Sequence, residues 1–195
     1  HDQSSAASDV YKRQGQLEQE MWWSEPAAVE LAADQTIGAD AIEAIIDASI
    51  REQLEAERGV GLFLSGGIDS SIIASSPAVR EAALPAFVAA FPDAECFDES
   101  HHAQRVADAC GLPLTKIEMT DDRIQEAASR LGAAYDEPFA DASALPTLAL
   151  TKEVAQHCTV ALSGDGGDEL FGGYRRHSVL KLRAALPRPL RPVSY

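Results

Sequence analysis

The stretch that most limits how this chain can fold is Val60-Gly61-Leu62-Phe63-Leu64-Ser65-Gly66-Gly67-Ile68-Asp69-Ser70-Ser71. An apolar run of strand character empties into a Ser-Gly-Gly-x-Asp-Ser turn, and a helix-compatible segment follows. Such a turn can hold an anion. The first backbone N–H groups of a helix lack partners within it, and the helix dipole favours negative charge there. Gly66 and Gly67 remove Cβ atoms where the backbone would approach an anionic group. Ser65 and Ser70 add hydroxyl donors, and Asp69 adds a carboxylate for a cation. No lysine follows the glycines, which separates this turn from the phosphate loop ending in Gly-Lys-Ser/Thr.

The rest of the pattern sets that turn in a sheet. Strand-like runs at Val60–Leu64, Ala86–Phe91, Leu114–Met119 and Thr159–Leu162 alternate with helical patterns at Ser70–Leu84, Asp98–Cys110, Asp121–Ala134 and Ala144–His157. An amphipathic helix over Asp40–Arg58 precedes them, with Ile42, Ile45, Ile46, Ile50 and Leu54 on one face and Gly59 as a stop. Asp98 or Ser100, and Asp121, are expected caps. The alternation predicts an α/β fold: a parallel sheet with helices on both faces, Rossmann-like, with ligands beyond the carboxyl ends of the strands. Residues 1–14 are polar and aperiodic, and are expected to be disordered or foreign to the domain. Residues 15–38, with Trp22 and Trp23, read as a linker. The domain is expected over 39–186, followed by a proline-rich tail over 187–195.

Bulk properties narrow the function. The net charge is −15, which argues against nucleic acid or an anionic membrane surface as partner, since both need a basic footprint. No apolar run reaches the roughly 18–20 residues that span a bilayer, and no signal-peptide pattern opens the chain. Cys96, Cys110 and Cys158 are widely spaced, so neither a disulfide framework nor a zinc site is expected, and a cytoplasmic setting fits. His101 and His102 read as a surface pair, their side chains diverging by about 100° on a helix.

A second glycine-rich stretch follows the last strand: Ser163-Gly164-Asp165-Gly166-Gly167-Asp168-Glu169-Leu170-Phe171-Gly172-Gly173-Tyr174-Arg175-Arg176. Its clustered carboxylates repel one another unless a cation joins them, and hard oxygen ligands suit Mg²⁺. Both glycine turns lie at strand carboxyl ends and would face one crevice.

The first turn resembles the pyrophosphate loop of the ATP pyrophosphatase superfamily. The two together resemble the synthetase domain of glutamine-hydrolysing asparagine synthetases of the class B type. That family pairs Ser-Gly-Gly-x-Asp-Ser with Ser-Gly-Glu/Asp-Gly-x-Asp-Glu-x-Phe-x-Gly-Tyr. Tyr135–Thr147 and Phe97-Asp98-Glu99-Ser100 also look like it, and the resemblance runs from about Trp22 to Tyr174. The fold it implies is that of the adenine nucleotide α-hydrolases. The cofactors it implies are ATP and Mg²⁺, and the small-molecule partners are aspartate or a related acid and ammonia from glutamine.

By position, Leu64 would supply a backbone contact to adenine and Ala89 would line the purine. Ser65, Gly66, Gly67, Asp69 and Ser70 would hold the pyrophosphate portion, and Ser163 and Gly164 would contact the nucleotide. Asp69 and Asp168 would ligate Mg²⁺. Asp165 takes the place of an acidic residue tied to acyl-adenylate formation, and Tyr174 matches a tyrosine near the reacting acyl group. The resemblance also implies an N-terminal glutaminase domain beginning Met-Cys, and a longer C-terminal portion carrying a catalytic lysine. This chain has no cysteine before Cys96. It is expected to be a fragment unable to hydrolyse glutamine, and a homodimer is compatible with the pattern.

Alternatives stay open. Asp141 stands where well-studied relatives have arginine, which points either to an acid other than aspartate or to a helix cap near Ser143. Arg175 and Arg176 read as solvated, or as complementing a surface carboxylate, ahead of reaching phosphates. Rival functions are other enzymes of the loop superfamily, including NAD, GMP and β-lactam-forming synthetases, and a nucleotide-binding module without catalysis.

Overall fold

In the computed structural model the described residues are 8–13, 16–21, 38–94, 96–135, 140–174, 176, 177 and 179. The chain divides into two compact units, His1–Ala39 and Asp40–Tyr195. The first unit holds an antiparallel pair, β1 (Ser8–Arg13) and β2 (Gln16–Met21), in register from Ser8 opposite Met21 to Arg13 opposite Gln16. The sequence reading expects residues 1–14 to be disordered or foreign to the domain and 15–38 to be a linker, and the paired strands over 8–13 and 16–21 correct both within their spans. Strand formers at Val10, Tyr11 and Leu17 are interrupted by charge, so the stretch shows no clean alternation. The Trp22–Trp23 pair lies outside the described residues, as does the proline-rich tail.

The second unit is built on four parallel strands. These are β3 (Val60–Phe63), β4 (Ala86–Ala90), β5 (Leu114–Glu118) and β6 (Val160–Leu162), in spatial order β5-β4-β3-β6. The helices are α1 (Ala39–Leu54), α2 (Ile68–Ser75), α3 (Pro77–Ala82), α4 (Ser100–Cys110), α5 (Asp121–Ala134), α6 (Ala144–Val154) and α7 (Gly167–Phe171). The path runs outward from β3 to β5, then returns across the sheet to β6 on the other side of β3. The strand order therefore reverses between β3 and β6. The crevice at that reversal is where open parallel sheets bind ligands.

Alternation along the strands divides the core. Leu62 and Leu64, with Ala86 and Val88 of β4, pack with Ile50 of α1, Ala74 of α2, Val79 of α3 and Ala103 and Ala107 of α4. Phe87 points to the other face and packs with Ile117, Ala127 of α5 and Ala149 and Val154 of α6. A Cβ on Gly61 would stand 2.8 Å from Cys158 Sγ and 2.9 Å from Phe87 Cε2. The glycine in β3 thus leaves the space those side chains fill. Both faces of the sheet are covered, as the apolar central strands β3 and β4 require, while the edge strand β5 leaves Thr115, Lys116 and Glu118 exposed.

Three expectations need correction, besides the α4 cap, which is Glu99 and neither Asp98 nor Ser100. The single helix over Ser70–Leu84 is two, α2 and α3, divided at Ser76, whose ψ of 135° is extended. Pro77 causes the break: it has no N–H to continue the ladder and disfavours helical geometry in the residue before it. Asp47 of α1 secures the new helix start, accepting from the Ser76 hydroxyl and, at 3.0 Å, from Ala78 N–H. The second correction is at α5, where the cap is Thr120 and not Asp121; the Thr120 hydroxyl accepts from Arg123 N–H at 3.5 Å. Asp121 falls in the first turn instead, where a carboxylate still favours the dipole. The third is the His101–His102 pair. Both are exposed, yet their rings lie 3.9 Å apart rather than diverging.

Candidate active site

Two loops leave the carboxyl ends of the neighbouring strands β3 and β6. The first is Leu64–Gly67 taken with the first turn of α2, Ile68–Ser71, into which it closes. The Ser65 and Ser70 hydroxyls lie 3.0 Å apart, and Ser65 Oγ accepts from Gly67 N–H at 3.1 Å. Ser71 Oγ donates to Gly67 O at 2.6 Å. Serines thus tie the turn to the helix start, and the Gly67 N–H expected to face a ligand is held by Ser65. Gly66 has φ +81°, and a Cβ there would meet Ala103 N and His102 Cβ at 2.6 Å. Its need for glycine is therefore conformational and steric, set by α4 behind the loop.

The second loop, Ser163–Gly166, runs into α7. Ser163 Oγ donates to Asp165 Oδ2 at 3.0 Å. A Cβ on Gly164 would stand 2.9 Å from Ser70 N and 3.0 Å from Asp69 Cβ; one on Gly167 would stand 2.5 Å from Asp69 Cγ. The two loops are in van der Waals contact, and the missing side chains of Gly164 and Gly167 allow it. Gly166 and Gly172, at φ +90° and +70°, set the bends on either side of α7.

Together the loops line one open cavity of about 480 Å³. Of the residues singled out in the sequence, Ser65, Gly67, Asp69, Ser70, Ser163, Gly164, Asp165, Asp168 and Tyr174 all line it. Leu64, Gly66 and Ala89 do not. Leu64 is buried, and its N–H donates to Phe87 O at 2.9 Å, so only its carbonyl is left for a base. Ala89 is half-buried against the Phe87 cluster. The cavity also takes in Phe63, Thr147 and Leu150, which sequence reasoning missed, and Gly166 and Glu169, which it placed in the second glycine-rich stretch without a role of their own. Thr147 and Leu150 lie about one turn apart on α6, within or next to the stretch that looked family-like. No local motif marks them as lining.

Glu169 has a defined partner. The Tyr174 hydroxyl donates to Glu169 Oε1. That bond holds the Glu169 carboxyl below its usual value and pushes the Tyr174 phenol above its own, since ionising the phenol would set two negative charges together. Arg176 Cζ lies 4.3 Å from the Tyr174 ring centroid, so Arg176 stacks on the site's tyrosine. Arg175 and residues 136–139 lie outside the described residues. Asp141 is turned to the start of α6, accepting from the Ser143 N–H and hydroxyl at 2.7 Å each, and these bonds lower its carboxyl below the ordinary range. Asp141 thus braces the turn ahead of α6 and is not itself the cap, which is Ser143.

Comparison with known proteins adds one deciding observation. The profile of the asparagine synthase family matches residues 41–193, well over half of the chain. The chain belongs to the asparagine synthase family. Within it, the chain is 37% identical over 155 residues to a Mycobacterium bovis relative, covering 78% of this chain and 24% of that protein. It is 37% identical over 132 residues to asparagine synthetase [glutamine-hydrolyzing] 1 of Bacillus subtilis, covering 68% and 21%. Amidase chry2 of Gibberella zeae is 27% identical over 176 residues, covering 80% and 26%. This asparagine synthase-family chain therefore spans about a quarter of the length of the curated relatives it matches. Among solved structures, the glutamine-dependent NAD+ synthetase of Acinetobacter baumannii in complex with ADP aligns with a TM-score of 0.48 and 20% identity, over 90% of this chain and 37% of that one. The NH3-dependent NAD synthetase of Campylobacter jejuni gives 0.47 and 22%, over 71% and 62%. Among the described residues, no helix of this family member is long and apolar enough to cross a membrane.

Proposed function

We propose that the cavity binds ATP with Mg²⁺ and is the site where a substrate carboxylate is adenylated before amide formation. The single observation that carries this is the meeting of two glycine loops at the β3/β6 reversal, with Asp69 and Asp168 lining the same cavity. Ser65, Gly67 and Ser70 hold the pyrophosphate portion, with Gly66 shaping the turn behind them against α4, and Ser163 and Gly164 face the nucleotide from the second loop. The Leu64 carbonyl reaches adenine, and Ala89 lies behind the purine.

The donor set fits Mg²⁺. Among the described residues no group of three or more His, Cys, Asp and Glu converges to hold a metal. Mg²⁺ does not need one: it keeps several waters and binds through one or two carboxylates plus substrate phosphates. Asp69 and Asp168 would be those carboxylates. The bound ion supplies neutralisation of charge on the departing pyrophosphate.

The reaction is two displacements. A substrate carboxylate oxygen attacks the α-phosphorus of ATP, the bond to the bridging oxygen breaks, and pyrophosphate leaves. Ammonia then attacks the acyl carbon and AMP departs, leaving an amide. The protein's part is to hold carboxylate and α-phosphorus in line and to exclude competing water. No nucleophilic side chain is called for. Asp165 and Tyr174 face the reacting acyl group in this reading. The acid is aspartate, and glutamine is the ultimate nitrogen source. A second reading, amidation of a different acid, is favoured by the likeness to amidase chry2.

Calorimetry with ATP and Mg²⁺ tests the first claim. Binding should depend on Mg²⁺, and Asp69→Asn should weaken it by about tenfold, the loss of one charge-assisted contact. Undetectable binding by the parent would refute the nucleotide site, and equal affinity in the mutant would remove Asp69 from the metal role. Pyrophosphate release stimulated by another acid and not by aspartate would favour the second reading.

A further inference from the structure

We propose that Glu169 and Arg176 are positioning residues that hold the Tyr174 ring on the cavity wall, and that this hold serves the acyl half of the bound ligand rather than the nucleotide half. The inference rests on the adenylation reading above. Its observation is separate: Tyr174 is gripped from three directions. Its hydroxyl is bonded to Glu169 Oε1. Arg176 Cζ sits over its face at 4.3 Å. The His177 ring meets it edge-on, with centroids 5.6 Å apart.

A tyrosine side chain has two torsions to fix. A hydrogen bond at the hydroxyl end alone leaves the ring free to rock about it, and a cation over one face removes that freedom. The backbone arranges the meeting. Glu169 stands in α7, Gly172 takes φ +70°, and Gly173 N–H donates to Asp168 O at 3.0 Å. The chain is thereby folded back so that residue 174 returns over residue 169. Glu169 also follows Asp168 directly. One short helix therefore carries both a proposed metal carboxylate and the acceptor for the tyrosine. Arg176 has a defined job in this arrangement, which separates it from a freely solvated arginine. A bond that merely closed α7 would matter equally for every ligand of the cavity. A bond that positions Tyr174 would matter mainly for a ligand with an acyl group.

Two measurements on the whole chain decide this. In the first, calorimetry compares Mg²⁺-ATP with a non-reactive sulfamoyl analogue of β-aspartyl-AMP in the parent, Glu169→Ala, Glu169→Gln and Arg176→Ala. Glu169→Ala should weaken the analogue by about tenfold and Mg²⁺-ATP by no more than about twofold, and Glu169→Gln, which keeps an acceptor oxygen, should restore most of the loss. Equal losses for both ligands, or none for the analogue, would overturn the proposal. In the second, the ligand-free chain is labelled with fluorotyrosine, and Tyr174→Phe identifies which of the four tyrosine signals belongs to position 174. Glu169→Ala and Arg176→Ala should each shift and narrow that signal as the ring is released. An unmoved signal would refute the hold itself. If the parent binds neither ligand, the adenylation reading fails and takes the acyl-half claim with it. The fluorine result then still decides whether the ring is held.

Discussion

Gly164→Ala isolates the contact between the two loops. Gly164 is not in the positive-φ region, so alanine meets no backbone penalty there, and the change adds one methyl group and little else. That methyl would stand 2.9 Å from Ser70 N, 3.0 Å from Asp69 Cβ and 3.2 Å from Asp69 C. Comfortable carbon contacts are about 3.5–4.0 Å, so the loops must part by roughly 0.5–1 Å. The obstructing atoms are backbone and Cβ, which cannot swing aside as a long side chain could. Overpacking of this kind costs about 1–3 kcal/mol, or about 2–4 °C in Tm for each kcal/mol in a chain of this size. Gly132→Ala is the matched control. It makes the same chemical change on an exposed position of α5 with nothing within 4 Å, and should stabilise by up to about 1 kcal/mol through helix propensity. Urea unfolding followed by circular dichroism reads both, and calorimetry reads whether the parted loops still bind Mg²⁺-ATP. Opposite signs are expected from one substitution type. A Gly164→Ala chain as stable as the parent, beside a Gly132→Ala chain showing its gain, would refute the loop contact.

Two further outcomes follow from the same geometry. Gly66→Ala should cost more than Gly164→Ala, because a left-handed conformation adds about 1–2 kcal/mol to an overpacking cost of about 1–3 kcal/mol; thermal unfolding of the two variants side by side checks the order. Asp47 should make the fold acid-sensitive. Its carboxyl is held below the ordinary 3.8 first by the Ser76 hydroxyl, then by the Ala78 N–H and Arg51. A depressed folded-state pKa means the stabilisation is fully present above 3.8 and is lost as pH falls through the lower folded value. Urea midpoints from about pH 6 down to about pH 2 should therefore fall less steeply in Asp47→Asn than in the parent, and identical slopes would remove Asp47 from the account.

The sheet was legible because its signals are redundant. β3, β4 and β6 are short apolar runs, β5 carries apolar Leu114 and Ile117 among polar residues, each strand is followed by a segment of helical period, and the glycine turns fix which strand ends matter. What misled was local chemistry with near-equal competitors. Apolar periodicity carries through Ser76-Pro77, so the break between α2 and α3 rests on the proline alone. Thr120 and Asp121 are both good caps, and only the observed acceptor separates them. The β1–β2 pair was invisible because its apolar positions are too few to set a face. Strand order is a different matter. No pairwise signal in the sequence states that β6 lies beside β3, yet that adjacency is what brings the two loops together.

The site was legible as a set of residue types and illegible as a division of labour. Read as sequence, Gly66 and Gly67 appeared to make room for an anionic ligand. In the fold, Gly66 makes room for α4, and Gly164 and Gly167 make room for Asp69 and Ser70. The glycines therefore build the cavity before anything enters it. This follows from the topology: two loops leaving adjacent parallel strands start only about 4.8 Å apart, too close for side chains at the crossing points. Of the residues singled out in the sequence, Ser65, Asp69, Ser70, Ser163, Asp165, Asp168 and Tyr174 then bring side chains to the lining. A loop pair with the carboxylates kept and Gly164 replaced by a bulkier residue should accordingly lose the cavity's shape although every charged group of its lining is still present.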